Sequence, residues 1–453
     1  MQVKKIKDLI NSVIDDHAQY QSTYKSFTPS KFLITNSHSE RALKLLTKRL
    51  KDTYPFFHPH YAGQMLKPPA QIASLAYFSV MLMNPNNHAL DGGPSTSELE
   101  KEAVDEIAKM IGYKNYLGHL TSSGTLANLE GLWISRMVSP KSNFAICENA
   151  HYTHTRLSQV LGFKYEIVQM NDRGQMDIDH LSKLVKAKKV GNVVVTLGTT
   201  GFGSLDPLHM IIELKKKYKL RVHVDAAYGG FFKILQNEKS KLIDHRPFEL
   251  LHLADSVAID PHKHGLQPYG CGCILFNDTS VGKFYKHDSP YTYFTSKDLH
   301  LGEVSLECSR AGASAAALWA TLKVFPLNSK KGLYKILSST RKAALRFQQL
   351  AEKNEKIKLV LSPELDIVNY FPNETSTAKI STESERIFNT LMNRKSKPIY
   401  LSKYRVNSDY LLKLHPNIRK NSEETIILRS TLMKPEHEQY VDEIFEEIVE
   451  LVR

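Results

Sequence analysis

One lysine stands out among the residues that could do chemistry. A short apolar run ends in a lysine flanked by two histidines, in the stretch Val257-Ala-Ile-Asp-Pro-His-Lys-His-Gly265. A lysine amine with a lowered pKa is a nucleophile that forms Schiff bases with carbonyl compounds. Most lysines lie in charged loops, so the stretch alone also fits a plain surface loop. The role of Lys263 therefore depends on the other groups that the fold brings to it.

A second candidate is a loop of small residues, Thr121–Thr125, that opens directly into a helical pattern beginning at Leu126. Free backbone N–H groups and hydroxyls at a helix N-terminus form a phosphate cradle, aided by the helix dipole. No lysine follows the glycine, so the loop is neither a P-loop nor a dinucleotide-binding motif. An ordinary cap by Ser or Thr is the alternative interpretation.

The elements that must position these groups are strands alternating with helices. Strands are predicted at Phe144–Cys147, Tyr165–Val168, Asn192–Leu197, Leu220–Val224, Val257–Ile259 and Gly272–Phe276. This alternation predicts a mainly parallel sheet covered on both faces, whose ligands bind beyond the carboxyl ends of the strands. The polar residues expected at those ends are Ser123, Gly124, Thr125, His151, Thr199, Thr200, Asp225 and Lys263.

The chemistry of these residues predicts their ligand. The loop at Ser123–Thr125 suits a phosphate, Lys263 suits a carbonyl, and Asp225 suits a ring nitrogen that must stay protonated. His151 and Ala227 can lie on the two faces of a flat ring. Pyridoxal phosphate (PLP) is the common cofactor with all four features. Each residue alone also fits a cap, a core position or a loop hydroxyl, so the prediction rests on their combination.

Length and composition set the broad class. The chain has 453 residues and a net charge of +13 from dispersed lysines, with no recognisable nucleic-acid-binding module. We therefore expect no specific nucleic-acid partner. The longest apolar stretch, residues 72–83, is too short to cross a bilayer, and the N-terminus has no apolar signal region. With only four cysteines, these features predict a cytoplasmic protein with no membrane partner.

The division of the chain is predicted from changes in pattern. Residues 1–55 form a helical arm, 56–326 a large cofactor-binding domain, and 327–453 a smaller α+β domain. An apolar stripe in the arm, at Ile6, Leu9, Ile10 and Val13, packs either on its own domain or on a neighbouring subunit.

The histidines at positions 58 and 60 lack a third ligand at useful spacing, so no metal site is predicted. A loop lining the substrate pocket is expected instead, with His60, Tyr61 and Gln64 at the mouth.

The chain resembles the group II PLP-dependent amino-acid decarboxylases, which include the aromatic-amino-acid, glutamate, histidine and tyrosine decarboxylases. The matching stretches lie between about residues 55 and 325: His58-Pro59, Thr121–Asn128, Asn149–His151, Leu197–Thr200, His223–Gly229 and Asp260–Lys263. The resemblance implies a PLP-transferase fold of type I, which is aminotransferase-like and α/β. It has a mainly parallel seven-stranded sheet in a large domain and a smaller α+β C-terminal domain. It also implies a homodimer with active sites at the interface.

The resemblance further implies roles for individual residues. Lys263 is the Schiff-base lysine, Asp225 the partner of the pyridine nitrogen, and His151 the ring-stacking residue. The remaining implied cofactor contacts are Ser123, Gly124, Thr125, Thr200, Ala227 and His262. A tyrosine of the loop 286–306, Tyr291 or Tyr293, protonates the substrate carbon. Many members have Asn where Asp260 stands and Trp where His264 stands, so neither residue is given a role.

The implied reaction is decarboxylation of an L-amino acid to its amine and CO2, through a Lys263 Schiff base and a quinonoid intermediate. One alternative is a PLP-dependent carbon–carbon lyase that releases an aldehyde, of the sphingosine-phosphate-lyase type. Another is a basic, non-enzymatic nucleic-acid-binding protein. The substrate stays open, because the basic composition favours an acidic amino acid and the aromatic residues near the expected mouth favour an aromatic one.

Overall fold

Two sheets and the helices around them make up the protein. The computed structural model describes residues 2–26, 30, 36–237, 241–286 and 304–453. The helices of the N-terminal half are α1 (Gln2–Ser22), α2 (Ser37–Leu50), α3 (Gln71–Met81), α4 (Pro94–Ile111), α5 (Gly124–Val138), α6 (Thr153–Leu161), α7 (Ile178–Lys186) and α8 (Leu208–Tyr218). Those of the C-terminal half are α9 (Arg246–Glu249), α10 (Gly312–Val324), α11 (Leu333–Glu352), α12 (Thr377–Met392), α13 (Ser408–Leu414) and α14 (His437–Val449).

The large sheet has seven strands in the order β1-β7-β6-β5-β4-β2-β3. They are β1 (Leu117–Thr121), β2 (Phe144–Cys147), β3 (Tyr165–Val168), β4 (Asn192–Thr196), β5 (Arg221–Asp225), β6 (Ser256–Ile259) and β7 (Gly272–Phe276). Strands β3, β2, β4, β5 and β6 pair in parallel, whereas β7 lies antiparallel to both β6 and β1. The predicted mainly parallel seven-stranded α/β sheet is confirmed.

Helices cover both faces of this sheet, as the continuous apolar strands predict. In β2, Phe144 and Ile146 pack with α5 and α6, while Ala145 and Cys147 face the main core with α4, α7 and α8. The strand alternation therefore divides the large domain into two apolar layers on either side of the sheet.

Strand β1 was not predicted, because its sequence Leu-Gly-His-Leu-Thr lacks β-branched apolar residues. The structure shows what Gly118 provides: a Cβ there would lie 2.5 Å from the Leu275 side chain and 2.8 Å from the Ile274 carbonyl oxygen. The glycine thus lets β1 approach its partner strand β7 closely.

The smaller sheet is antiparallel, in the order β10-β11-β9-β8. Its strands are β8 (Ile357–Leu359), β9 (Ile367–Pro372), β10 (Ser402–Asn407) and β11 (Glu424–Thr431). Phe347 of α11, Tyr370 of β9 and Phe445 of α14 lie in its core. Strand β10 was missed, because only Ser402 and Val406 of its residues are buried. The smaller α+β unit agrees with the predicted fold class, while the domain boundaries stay a prediction.

The N-terminal helices differ in how they pack. Helix α1 lies against α3, whereas α2 has no buried residue. Its leucines at 43, 45, 46 and 50 are all exposed. None of the helices in the described ranges has the length and apolar character needed to span a bilayer.

Candidate active site

A cavity of about 300 Å³ lies at the carboxyl ends of the parallel strands. It collects residues from five connections of the large sheet, those that follow β1, β2, β4, β5 and β6. All nine residues expected to bind the cofactor line it: Ser123, Gly124, Thr125, His151, Thr200, Asp225, Ala227, His262 and Lys263. Thr199, by contrast, is fully buried and accepts a hydrogen bond from the Ser204 N–H at 3.1 Å, so it braces the loop.

The start of α5 forms one end of the cavity. Ser123 is the N-cap, and its hydroxyl accepts a hydrogen bond from the Leu126 N–H at 3.3 Å. Gly124 follows at the first helical position, where a Cβ would lie 2.4 and 2.5 Å from the two Asp260 carboxylate oxygens. Only glycine leaves this space open. The first helical N–H groups and the positive end of the helix dipole therefore face the cavity, which suits an anion.

A buried histidine, His223, stabilises the start of α5 through hydrogen bonds. The His223 Nε2–H donates to the Asn128 side-chain oxygen at 2.8 Å, and Asn128 donates to the Gly124 carbonyl at 2.9 Å. The Ser256 hydroxyl lies 2.8 Å from His223 Nδ1. Burial lowers the pKa of His223 to about 3, so the ring is neutral and can donate on one side and accept on the other. This chain of hydrogen bonds connects β5 and β6 to the loop at Ser123–Thr125, which suits a phosphate.

Asp225 ends β5 and is buried at the cavity wall. One carboxylate oxygen lies 2.8 Å from His154 Nε2, and the other accepts the Ala227 N–H at 3.1 Å. Burial raises the pKa of this carboxyl, but the hydrogen bond from His154 and the positive charge of Lys263 outweigh it. The net result is a pKa well below the usual range. Asp225 is thus a fixed anion that can keep a ring nitrogen protonated.

The first turn of α6 brings two histidines to the site. His151, directly before the helix, lines the cavity, and burial lowers its pKa. His154 is fully buried behind it, and its N–H bonds to the His151 carbonyl at 3.1 Å. No role was predicted for His154, although it stands only three residues after His151 in the connection that leads into α6. That spacing is the signal that could have identified it.

Lys263 reaches the cavity from the connection after β6. Its amine lies 3.1 Å from an oxygen of the buried Asp260 carboxylate. His262 Nδ1–H donates to the Cys271 carbonyl at 2.7 Å, which leaves Nε2 at 3.4 Å from the same Asp260 oxygen. Burial also lowers the pKa of His262. Asp260, which was left without a role, is therefore the anion between the lysine and the helix start.

Tyr269 is a cavity residue that sequence analysis did not single out. Its ring centroid lies 4.9 Å from that of His262, and its hydroxyl donates to the Met65 carbonyl at 3.0 Å. No motif marked it, because it reaches the cavity through the irregular loop before β7.

His264, which was also left without a role, is fully buried. Its ring packs edge-on against those of Tyr228 and Phe232, at centroid distances of 4.7 and 4.9 Å. It is therefore part of the core beneath the cavity.

The residues expected at the substrate mouth lie elsewhere in the described chain. His60 lines a separate cavity of about 450 Å³, with its Nε2 at 3.3 Å from Glu443. Tyr61 is buried under the Lys434 amine, and Gln64 is exposed on the same segment. This segment pairs with Tyr400 beside the smaller sheet, and none of the three residues lines the cavity around Lys263. Tyr291 and Tyr293 lie outside the described residues.

The residues present fit PLP. The helix start offers amide donors to a phosphate, and the small side chain of Ala227 leaves room beside a flat ring. A buried carboxylate, an aromatic imidazole and a partly exposed amine complete the set on one cavity.

Comparison with known proteins agrees with PLP as the cofactor. The family described as "Pyridoxal-dependent decarboxylase conserved domain" matches residues 57–371. The chain is 26% identical to the L-tyrosine decarboxylase of Levilactobacillus brevis, covering 81% of this chain and 77% of that protein. It is 27% identical to the L-aspartate decarboxylase of Thermococcus kodakarensis, covering 73% and 84%.

Solved structures agree on the fold. The crystal structure of mouse CSAD superposes with a TM-score of 0.78 at 18% identity, covering 100% of this chain and 99% of that one. Tryptophan decarboxylase of Catharanthus roseus, solved with L-tryptophan, gives 0.77 at 14% identity and 99% coverage of both chains. The match of the family description over more than half of the chain decides the assignment: the chain belongs to the pyridoxal-dependent decarboxylase family and is a PLP-dependent carboxy-lyase.

Proposed function

We propose that this enzyme decarboxylates an L-amino acid while PLP is held as a Schiff base on Lys263. The observation that carries the proposal is the placement of the Lys263 amine and the fixed Asp225 anion on one cavity, at the ends of neighbouring strands. When bound, PLP supplies an electron sink for the electron pair left at the substrate carbon when CO2 departs.

Each residue has a proposed task. Gly124 and Thr125 bind the phosphate with their N–H groups, and His262 donates from Nε2 when the charge of the bound phosphate holds its ring in the protonated form. His151 covers one face of the ring, and Ala227 leaves space on the other. Asp225 holds the proton on the ring nitrogen.

Asp260 keeps a counter-charge beside the Lys263 ammonium while the amine is free. A tyrosine in the segment 286–306 remains the proposed proton donor to the substrate carbon.

His154 acts through Asp225 as a positioning residue. Its Nδ1 is buried without a hydrogen-bond partner in the described chain. The carboxylate oxygens of Asp225 only accept, so Nε2 carries a proton and donates to them. This bond fixes the orientation of the Asp225 carboxylate.

Borohydride reduction of the holoenzyme followed by peptide mapping tests the Lys263 assignment. The label is expected on Lys263, and a label on another lysine would overturn it. Assays of CO2 and of aldehyde release from a panel of L-amino acids test the reaction. CO2 release supports decarboxylation, whereas aldehyde release would support the carbon–carbon lyase.

The panel must include aromatic, acidic and diamino substrates. The relatives that support this choice are named as decarboxylases of L-tyrosine, L-aspartate and L-2,4-diaminobutyrate. The described lining of the cavity contains no arginine.

A homodimer is also proposed. It is supported by the exposed leucines of α2, which form an apolar surface that a monomer rarely leaves uncovered.

A further inference from the structure

A second cavity, of about 540 Å³, lies apart from the one around Lys263. Its wall is largely apolar and is built from α1, the segment before α3, the end of α10 and the turn before α14. The apolar lining residues are Leu9, Phe57, Pro68, Pro69, Ala70, Ile72, Leu75, Leu266, Val324, Phe325, Ile336 and Pro435. Its size lies within the range of small-molecule sites.

Two lysines, Lys67 and Lys434, are among the residues that line this cavity. Lys434 is only 2% exposed, and its ammonium donates to the Tyr61 carbonyl. The half-buried Lys67 donates to the Met433 carbonyl at 3.3 Å. Throughout the described ranges neither amine forms an ion pair with a carboxylate. Buried charges are normally paired at close range, so an anion bound here would supply the close partner that the two amines lack.

Both amines have a lowered pKa. Burial lowers the pKa of Lys434 to about 7, and the charge of Lys67 lowers it further in the same direction. Burial also lowers the pKa of Lys67 to about 8, although the charges of Asp366 and Glu436 raise it. When both amines are protonated they repel each other, which is why the charge of Lys67 lowers the pKa of Lys434. A single anion between the two amines would offset both the cost of burying their charges and their mutual repulsion.

The mouth of the cavity is apolar as well. Phe57 is 71% exposed, and Leu9 and Val324 are 43% and 52% exposed. Lys5 adds a third amine at the rim, and Glu436 is the one acidic residue among the lining. The cavity therefore combines a cationic end with an apolar wall and an open apolar entrance.

We propose that this cavity binds an amphipathic carboxylate, with its head between Lys67 and Lys434 and its chain along the apolar wall. The carboxylate supplies the missing counter-ion, and the chain covers the exposed rim.

The proposal is independent of the decarboxylation proposed above. The cavity does share one loop with the active site, since Leu266 stands three residues after Lys263, with a left-handed backbone (φ 63°).

Titration calorimetry of the PLP-loaded enzyme with sodium decanoate, below its micelle concentration, tests the proposal. Saturable binding is expected, and decyltrimethylammonium should bind at least about tenfold more weakly, since it reverses the head charge. Equal affinity for the two probes, or no decanoate binding, would overturn the proposal. Gel filtration of the same sample shows whether a second copy covers the cavity, and a covered cavity that excludes decanoate counts against it.

Variants locate the site. Lys67→Met and Lys434→Met should each weaken decanoate binding about tenfold or more, because each removes a charge-assisted hydrogen bond. Lys217→Met, at an exposed site on α8, is the matched control and should bind like the wild type. Phe57→Ser changes only the rim, so it should fold normally and weaken binding several-fold. Unchanged affinity in Lys67→Met and Phe57→Ser together would mean that the probe binds elsewhere.

Discussion

His154 Nε2 and the Asp225 carboxylate lie 2.8 Å apart, and the imidazole is fully buried. The carboxylate proposed to face the ring nitrogen is therefore held from behind by a buried N–H donor. Because Ala227 N–H holds the other oxygen, the carboxylate cannot rotate freely. The first turn of α6 thus fixes the orientation of the Asp225 carboxylate through His154, and His151 lies just before the same turn.

We predict that His154→Phe lowers kcat about 10–100-fold, the usual cost of removing a hydrogen bond that orients a ligating group. KM should change little, because His154 does not line the cavity. His154→Gln can still donate to Asp225 and should recover much of kcat. Steady-state kinetics and the absorption spectrum of bound PLP check this. Wild-type kcat in His154→Phe would show that the contact is only structural.

Gly124→Ala is expected to lower PLP retention and to destabilise the fold by about 1–3 kcal/mol, a typical cost of overpacking. The new Cβ would lie within 2.5 Å of both Asp260 oxygens. The double variant Gly124→Ala, Asp260→Ala reopens the space and should bind more PLP than Gly124→Ala alone. Absorbance of bound PLP and urea unfolding measure both effects, with Asp260→Ala as the control. Normal PLP content in Gly124→Ala would contradict the geometry.

His437 makes stability depend on pH. Its Nε2–H donates to the Pro59 carbonyl at 2.9 Å, and Nδ1 accepts the Lys434 N–H at 3.1 Å. Burial and the charge of Lys434 lower the pKa of His437 to about 3, compared with about 6.5 in the unfolded chain. Between these values the unfolded state binds more protons, so this contribution is complete above pH 6.5 and is lost as pH falls.

His437→Gln keeps a donor and an acceptor but does not titrate. We therefore expect its unfolding free energy to fall less steeply between about pH 6.5 and pH 4, by up to about 1.4 kcal/mol per pH unit. Urea midpoints at several pH values, with wild type alongside, make the comparison. Parallel pH profiles for the two proteins would rule out His437 as the cause.

The buried pair Arg310–Glu100 joins the residues just before α10 to helix α4. Arg310 also donates to the Leu120 and Asn87 carbonyls, at 3.0 and 3.1 Å. Arg310→Met should cost about 3–5 kcal/mol, because Glu100 is left as an unpaired buried charge. The exposed pair of Arg346 with Asp442 is the control, and Arg346→Met should cost less than about 1 kcal/mol. Equal losses in urea unfolding would contradict this.

Much of the site could be predicted from the order of strands along the sequence, because ligands of parallel sheets bind at the carboxyl ends of the strands. Apolar runs indicated β2 to β7, and the carboxyl ends of parallel strands meet at one edge. Lys263, Asp225 and the loop at Ser123 were therefore expected together before any contact was known.

Contacts between distant side chains could not be predicted in this way. The pairing of His154 with Asp225 depends on how α6 packs behind β5. His60, Tyr61 and Gln64 were placed at the mouth from their neighbourhood in sequence. Their actual position is set by pairing with Tyr400, which no local pattern indicates.

The position of strand β7 limits which changes in chain length the active site can accept. Its Gly272 is opposite Thr121 of β1, and its Cys273 is opposite Ile259 of β6. The amine of Lys263 and the helix start at Gly124 are thus separated by a fixed number of sheet spacings. A residue gained or lost inside β7 would move one group past the other by about 3.4 Å and reverse the side-chain faces. A change in the length of β7 is therefore not tolerated, because this strand sets the distance between the Lys263 amine and the helix start at Gly124.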